Sequence, residues 1–540
     1  MSLTFIKENK IFFGLLLLIF SGYMIMVWQP IDKLLVQLMA DDAFYYFKTA
    51  SNIAGGLGST FDGEHITNGY HPLWMGISAL IYYLIPDDKI LPVHIILGLS
   101  VLLYFAATLL IWKIISRWIL NKWAQAFLVL AYALNPWNVS DYLNGLETPL
   151  ALFLLVLLFY LFLNILREDT ARLSDFSLLG AVAGLLILSR LDYGLFVAAI
   201  YIYFLWKDGG FLRKPLWAFA VPAALISAPW FLYNYFYFGS PIPASGLSYT
   251  LINHRLWFYK ERSLIEILLW SVYNFFGTIA FIFRTIGIPV FYSGWNLVKS
   301  FFSLLAVFGP VILAASYFYI YKKEQFKNFL RDLFHSAWGR AFMVFFAAFI
   351  GLVVVHGAIR WSGREWYFAS FQFLAIIFLS ILLKQEMRAV YQKIILSVLA
   401  LALVLSYFSL WKNLFNQNIN QLEMYQVAVW IKNNLPADAR IAAFNSGIHG
   451  YFSEHFVMNS DGMINNSAYE AMRRNNLWKL FEEERIDYIV DYEITLSYRY
   501  KSFLGIDNPF ERLKKIDLPA DINRSGNYGG SHIGIYKLKR

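Results

Sequence analysis

The chain has 540 residues, of which 59% are hydrophobic, 19% aromatic and only 15% charged, against about 25% charged in an average soluble domain. So much apolar side chain excludes both a water-soluble globule and a disordered chain. The absence of cysteine removes disulfides, thiol nucleophiles and cysteine-held metals. Almost all of the net charge of +9 lies in residues 1–411 (29 Lys+Arg against 21 Asp+Glu), with only +1 in 412–540 (16 against 15). It is spread between apolar segments, so no nucleic-acid-binding face is expected.

In chain order, apolar runs suited to a span of roughly 17–25 residues fall at 11–28, 90–112, 123–139, 149–166, 176–189, 193–206, 216–237, 302–321, 338–358, 365–383 and 390–410. They predict a polytopic α-helical membrane protein with about 11 transmembrane helices. The first run is long and lacks a small-residue cleavage site, so it reads as an anchor. Residues 72–86, bracketed by Pro72 and Pro86, give only about 22 Å of helix, short for a span and suited to an interfacial or re-entrant helix. Lys/Arg counting decides the case. If 72–86 does not cross, 18 basic residues lie inside and 11 outside, five of the latter in the long 238–300 segment. A crossing would put most of the basic loops outside. The expected topology has a cytoplasmic N-terminus, an outer first loop at 29–89, an outer loop at 238–300 and an extracytoplasmic C-terminus.

Residues 412–540 read as a small extracytoplasmic α/β domain following a transmembrane domain of residues 1–411. An amphipathic helix at 421–434 ends at Pro436, strands are expected at 440–444, 456–458 and 487–490, and helix at 468–485. Strands alternating with helices predict a small, partly parallel sheet.

The chemistry-bearing residues gather in the outer segments. Asp41 and Asp42 follow the first span; neighbours on a helix point about 100° apart, so one carboxylate can face a cavity while the other holds the loop. The pair equally suits a helix N-terminus. The 29–89 loop is long for a connector and presents His65 and His71, whose spacing matches no zinc pattern. Glu147 precedes a span, where a carboxylate is favoured in any case. Arg190 and Asp192 are close enough to neutralise each other, yet charges at membrane depth are costly and point to function. The outer corner that begins at His356 carries Arg360 and Arg364 against the positive-inside trend, and this arginine pair suits an anionic ligand or lipid headgroups. Carboxylates able to take a proton and guanidiniums able to hold a phosphate fit attack of a hydroxyl on a lipid-phosphate-linked sugar.

The Asp41-Asp42 motif, the long first loop, the run Asn68-Gly-Tyr-His-Pro-Leu-Trp74, the corner Gly239-Ser-Pro-Ile-Pro243 and the tail from Trp430 to Gly462 resemble the GT-C glycosyltransferases that use polyprenyl-phosphate sugars. The resemblance runs the length of the chain, mostly as a hydropathy pattern. It implies a GT-C-like fold, with Asp41 as catalytic or acceptor-orienting carboxylate, Asp42 as its neighbour or substitute, and Glu147 in the cavity. His71 falls where some relatives place a phosphate-holding Lys, and Arg360 or Arg364 matches an outer phosphate-binding Arg. Tyr70 and Arg190 complete the expected donor-phosphate set, while Lys48, Asn68, Asp192 and Tyr367 are assigned to substrate binding. Some relatives use a divalent cation (Mg, Mn or Ca), for which Asp41 and Asp42 would be the ligands.

The expected activity is therefore that of an inverting glycosyltransferase in the inner or plasma membrane of a bacterium or archaeon. It would transfer one sugar from a polyprenyl-phosphate donor to a glycan, lipid or protein acceptor, with membrane lipids as its surroundings. The alternatives are an oligosaccharide ligase or polymerase using lipid-pyrophosphate glycans, and a lipid or sugar-lipid transporter. A transporter predicts two similar halves and polar residues at the midplane, and the sequence has neither.

Overall fold

The computed structural model describes residues 9–168, 171–208, 213–257, 263–285, 323–361, 363–383, 408, 411, 418–519, 522 and 531–539. Six described helices are long and apolar enough to cross a membrane: Lys10–Val27, Leu91–Ser116, Thr148–Arg167, Lys214–Phe238, Leu264–Phe283 and Ala337–Ile359. Shorter apolar helices lie at Pro72–Leu84, Leu173–Ser189 and Ser370–Leu383. The chain is a multi-pass membrane protein. The runs expected at 302–321 and 390–410 lie almost wholly outside the described residues.

Two helical expectations change. The run 123–139 is broken into Lys122–Ala133 and Pro136–Tyr142. Asn135 accepts the Trp137 backbone N–H and Pro136 occupies the first turn of the second helix, an N-terminal start signal that hydropathy does not register. The 238–300 segment is not simply a loop: it holds the helices Ala244–Trp257 and Leu264–Arg284, the second begun by a Ser263/Glu266 capping box. Residues 245–250 and 355–367 both line one cavity.

In the first loop, Ile31–Gln37, Asp41–Ala54 and Pro72–Leu84 are helical. Asp41 and Asp42 stand in the first turn of their helix, favoured by its dipole, but no side chain caps it. The C-terminal segment forms a five-stranded sheet in the order β2-β1-β3-β5-β4, with β1 Arg440–Ala443, β2 Phe456–Asn459, β3 Tyr488–Tyr492, β4 Leu513–Ile516 and β5 Ile533–Leu538. β1 pairs in parallel with β2 and β3, whereas β5 runs antiparallel to β3 and β4. β3 is buried along its whole length, as a central strand covered on both faces requires.

The C-terminal segment is seated on the first loop. Tyr451 packs on Phe44 and Phe47, and its hydroxyl meets that of Tyr82 at 2.6 Å. Glu454 bridges Lys89 and Lys432, each at 2.8 Å. Glycines permit the closest approaches: a Cβ at Gly69 would overlap the Met463 carbonyl, one at Gly447 the Asp41 carbonyl, and one at Gly450 the Phe61 ring. One hydrophobic core runs through both parts, from Leu16 to Ile535.

Candidate active site

A cavity of about 740 Å³ lies where the first loop, the 147 and 190–192 corners, residues 242–250, residues 355–367 and the C-terminal segment meet. All of these are segments that the sequence places on the outer side of the membrane. The helix starting at Asp41 brings Asp42, Tyr45 and Tyr46 to the wall, and the turn before Pro72 brings Tyr70 and His71.

Two adjacent aspartates take separate surroundings. Asp41 accepts the backbone N–H of Ile448 at 2.7 Å and of Gly447 at 3.3 Å, so it fastens the loop to the C-terminal segment and does not line the cavity. Burial, with Asp42 adding repulsion, pushes its carboxyl up to about 8, although the two N–H groups oppose the shift. Asp42 lines the cavity. Among the described residues its carboxylate has no hydrogen-bond partner. Burial raises it as well, while Arg364 and Arg499 pull it back down. This arrangement does not fit a divalent-cation site on the pair, because Asp41 faces the Gly447 and Ile448 N–H groups while Asp42 faces the cavity, so the two carboxylates do not converge on one point. The only described cluster with metal-like spacing is Glu64, His65 and Glu484. There Arg440 forks onto Glu64 at 2.8 and 2.9 Å, and Asp62 and Glu484 hold both ring nitrogens of His65. Its hydrogen bond to Asp62 heads the causes that raise the imidazole to about 9. A protonated imidazole beside a guanidinium is an ion-pair lock between loop and sheet, and no metal ligand.

Glu147, Arg190 and Asp192 are brought together and consume one another's charge. Glu147 accepts Arg190 Nη1 at 3.1 Å and the Tyr46 hydroxyl at 2.9 Å. Arg190 forks onto Asp192 through Nε at 2.9 Å and Nη2 at 3.1 Å. At 1% exposure, Arg190 is a neutralised strut of the cavity wall. His71 lines the cavity with its Nδ1 facing the Leu191 N–H at 3.4 Å and its Nε2 at 3.6 Å from Glu147; burial pushes the imidazole down, which favours its neutral form.

Arg360 differs. Its Nε donates to Thr250 Oγ1 at 2.9 Å and its Nη2 to the Gly246 carbonyl at 3.1 Å, with Nη1 3.5 Å from His356 Nδ1. These partners carry no negative charge, so a guanidinium is held ready in a cavity without a described carboxylate of its own. Arg364 stands beside it, its guanidinium over Tyr249 and Trp366, and is the main cation acting on Asp42.

Sequence reasoning passed over His356 as a site residue. It is fully buried, donates Nε2–H to Asp192 at 2.9 Å, and stacks on Tyr367 with centroids 4.4 Å apart. It sits in a π-helical turn, Val354–Ile359, a feature frequent at functional sites. Trp361, just past Arg360, has φ +49°, backbone strain of the kind found at binding sites. The signal for His356 was its place four residues before Arg360. Tyr46, Tyr249, Met463 and Tyr469, also on the wall, carried none. Of the remaining expected residues, Tyr70 and Tyr367 line the cavity, with the Tyr70 hydroxyl 2.6 Å from that of Ser59. Asn68 does not line it. Its amide ties Asn234, the Ala244 N–H and Asn466 together, so it frames the wall from behind. Lys48 lies outside the lining, and burial pushes its ammonium down.

Residues 71–233 match the family of dolichyl-phosphate-mannose-protein mannosyltransferases, a stretch that contains His71, Glu147, Arg190 and Asp192. Residues 413–531 match a separate domain family of unknown function. No match is found among curated proteins. Among solved structures, this chain is similar to the archaeal oligosaccharyltransferase AglB from Archaeoglobus fulgidus, in complex with an inhibitory peptide and a dolichol-phosphate. They share 12% identity over 94% of this chain and 73% of AglB, with a TM-score of 0.48. It is also similar to ArnT from Cupriavidus metallidurans bound to undecaprenyl phosphate, at 12% identity over 96% of this chain and 97% of ArnT, with a TM-score of 0.46.

Proposed function

We propose that the protein is an inverting glycosyltransferase that moves a single sugar from a polyprenyl-phosphate donor to an acceptor hydroxyl on a glycan, lipid or protein. The reaction would take place at the outer face of a bacterial or archaeal plasma membrane. The N-terminus would be cytoplasmic, with about 11 spans and the C-terminal α/β domain outside. The observation that carries this reading is the presence, in one cavity, of a carboxylate, Asp42, without a hydrogen-bond partner among the described residues and a guanidinium, Arg360, whose described partners are uncharged. Asp42 takes the proton of the acceptor hydroxyl, and the acceptor oxygen forms its bond to the anomeric carbon from the face opposite the phosphate. The bond from that carbon to the phosphate oxygen breaks with its electron pair, and the lipid phosphate leaves as an anion needing no acid. Arg360 and Arg364 hold the charge that grows on it, while Arg190, already neutralised, keeps Glu147 and Asp192 in place. The isoprenoid tail stays in the bilayer, which suits a site opening near the membrane surface.

The test is reconstitution of the full chain in lipid nanodiscs with synthetic undecaprenyl-phosphate sugars and extracted envelope glycans. Release of undecaprenyl phosphate coupled to glycan labelling is expected, and Arg360→Ala should weaken binding of undecaprenyl phosphate about a hundredfold. Equal lipid-phosphate affinity in the variant would sink the assignment.

A further inference from the structure

We propose that His356 is the positioning residue for Arg360: its imidazole, fixed in one tautomer by Asp192, holds the guanidinium so that two N–H groups stay free for an oxyanion. Under the transferase reading above, on which this rests, that oxyanion is the donor phosphate.

A guanidinium has five N–H groups. Among the described residues Arg360 uses three of them: Nε on Thr250 Oγ1 at 2.9 Å, Nη2 on the Gly246 carbonyl at 3.1 Å and Nη1 on His356 Nδ1 at 3.5 Å. One N–H is left on each Nη, a pair that a phosphate can take with two oxygens. Thr250 and Gly246 both belong to the helix Ala244–Trp257, and two contacts alone let the planar group turn about the line between them. The third contact, at Nη1, comes from a different element and stops that rotation.

The imidazole is itself held still. Besides its stack on Tyr367, it meets the Phe368 ring edge-on with centroids 6.1 Å apart. A Cβ on the next residue, Gly357, would overlap Thr278 Oγ1, so the helix Leu264–Arg284 backs the turn. Arg360 closes that turn, its backbone N–H bonded to the Val355 carbonyl at 2.8 Å. The charged and titratable groups around the imidazole are Asp192, Arg190, Arg360 and Tyr367. Asp192 settles the tautomer. Paired with Arg190 it is ionised and only accepts, so the Nε2 that lies 2.9 Å from it carries the hydrogen and Nδ1 turns a lone pair to Arg360. The opposite tautomer, or a protonated ring, would set an N–H against the guanidinium. Arg190 grips Asp192 through Nε and Nη2. Buried Arg190 therefore acts on a ligand at one remove, through Asp192, His356 and Arg360 in turn.

The test measures binding of undecaprenyl phosphate to the full chain in nanodiscs. His356→Phe keeps a ring on Tyr367 and leaves Asp192 both of its Arg190 contacts; it should bind about tenfold more weakly than the wild type. In an Arg360→Ala background the same change should add nothing, because His356 acts through Arg360, whereas a general structural defect would add its loss in both backgrounds. Asparagine sets its amide oxygen near the place of Nδ1, and glutamine its amide nitrogen near the place of Nε2. His356→Asn should therefore recover part of the affinity and His356→Gln none. Wild-type affinity in His356→Phe, equal losses in both backgrounds, or rescue by Gln and not by Asn overturns the proposal. Nitrogen NMR of labelled histidine, with the His356 signals identified by their loss in His356→Phe, should show hydrogen on Nε2 and none on Nδ1; the reverse also overturns it. The expected signals, shifted by Arg360→Ala, in a chain that binds no undecaprenyl phosphate would uphold the positioning of Arg360 and overturn the donor reading instead.

Discussion

The two adjacent aspartates lend themselves to a decisive comparison, because each change to Asn replaces one carboxyl oxygen with an amide nitrogen at neighbouring positions with different surroundings. Asp42→Asn replaces the carboxylate that lines the cavity. Loss of a general base costs about 10²–10⁴ in rate, or about 3–5 kcal/mol of barrier. It should fall on kcat, since Asp42 makes no contact that holds the cavity together. Asp41→Asn leaves one oxygen for the Ile448 N–H at 2.7 Å but turns an amide N–H₂ toward the Gly447 N–H, which now donates at 3.3 Å. One buried backbone donor without an acceptor costs about 1–3 kcal/mol of stability. The variant should melt at lower temperature and keep most of its turnover below that point. The assay is steady-state release of undecaprenyl phosphate from a synthetic donor in nanodiscs, beside thermal unfolding of the same preparations. The reasoning fails if Asp42→Asn keeps more than about a tenth of wild-type kcat. It also fails if Asp41→Asn loses as much turnover as Asp42→Asn with an unchanged melting temperature.

Two further outcomes follow from the same geometry. Because burial raises Asp42 and the base must be ionised, turnover should climb with pH through a limb above the ordinary carboxylate value of 3.8; a limb at 3.8 in the pH profile of kcat would remove Asp42 from that role. Asp41 is raised to about 8 and Asp461 to about 7, each mainly by burial. The native state then holds protons that the unfolded chain has lost, so stability should fall as pH rises between about 4 and 8 and level off beyond. Melting curves across that range check the sign, and Asp41→Asn should flatten the slope. Finally, Gly69→Ala sets a Cβ against the Met463 carbonyl, a clash between two backbones that side-chain rotation cannot relieve. It should cost about 1–3 kcal/mol and raise hydrogen exchange across the loop contact with 440–470. Gly76→Ala, with open space at its Cβ, should be neutral or slightly stabilising.

Local properties of the sequence determined a large share of this molecule. Hydropathy located five of the six described helices of membrane length, the prolines bounded the short helix at 72–84, and short strand-like runs marked β1, β2 and β3, because each depends on residues within a few positions of one another. The charge-bearing corners at 29–89, 147, 190–192 and 356–364 were legible for the same reason, and the common cavity drew on all of them. β4 and β5 were not, since Leu513-Lys-Lys-Ile516 has half its residues charged and gains its place only from pairing with a distant strand. Nor was the capped helix Leu264–Arg284, hidden inside a segment read as a loop.

Tertiary structure alone decided what each charge does. Arg190 is spent on Glu147, 43 residues away, while Asp192 takes His356 across 164 positions. Asp41 turns from the cavity because Ile448, 407 residues on, offers a backbone N–H that glycine at 447 lets come close. Hydropathy and residue type are properties of a position. The partner that neutralises a charge, and so determines whether it remains available to a ligand, is a property of the folded chain.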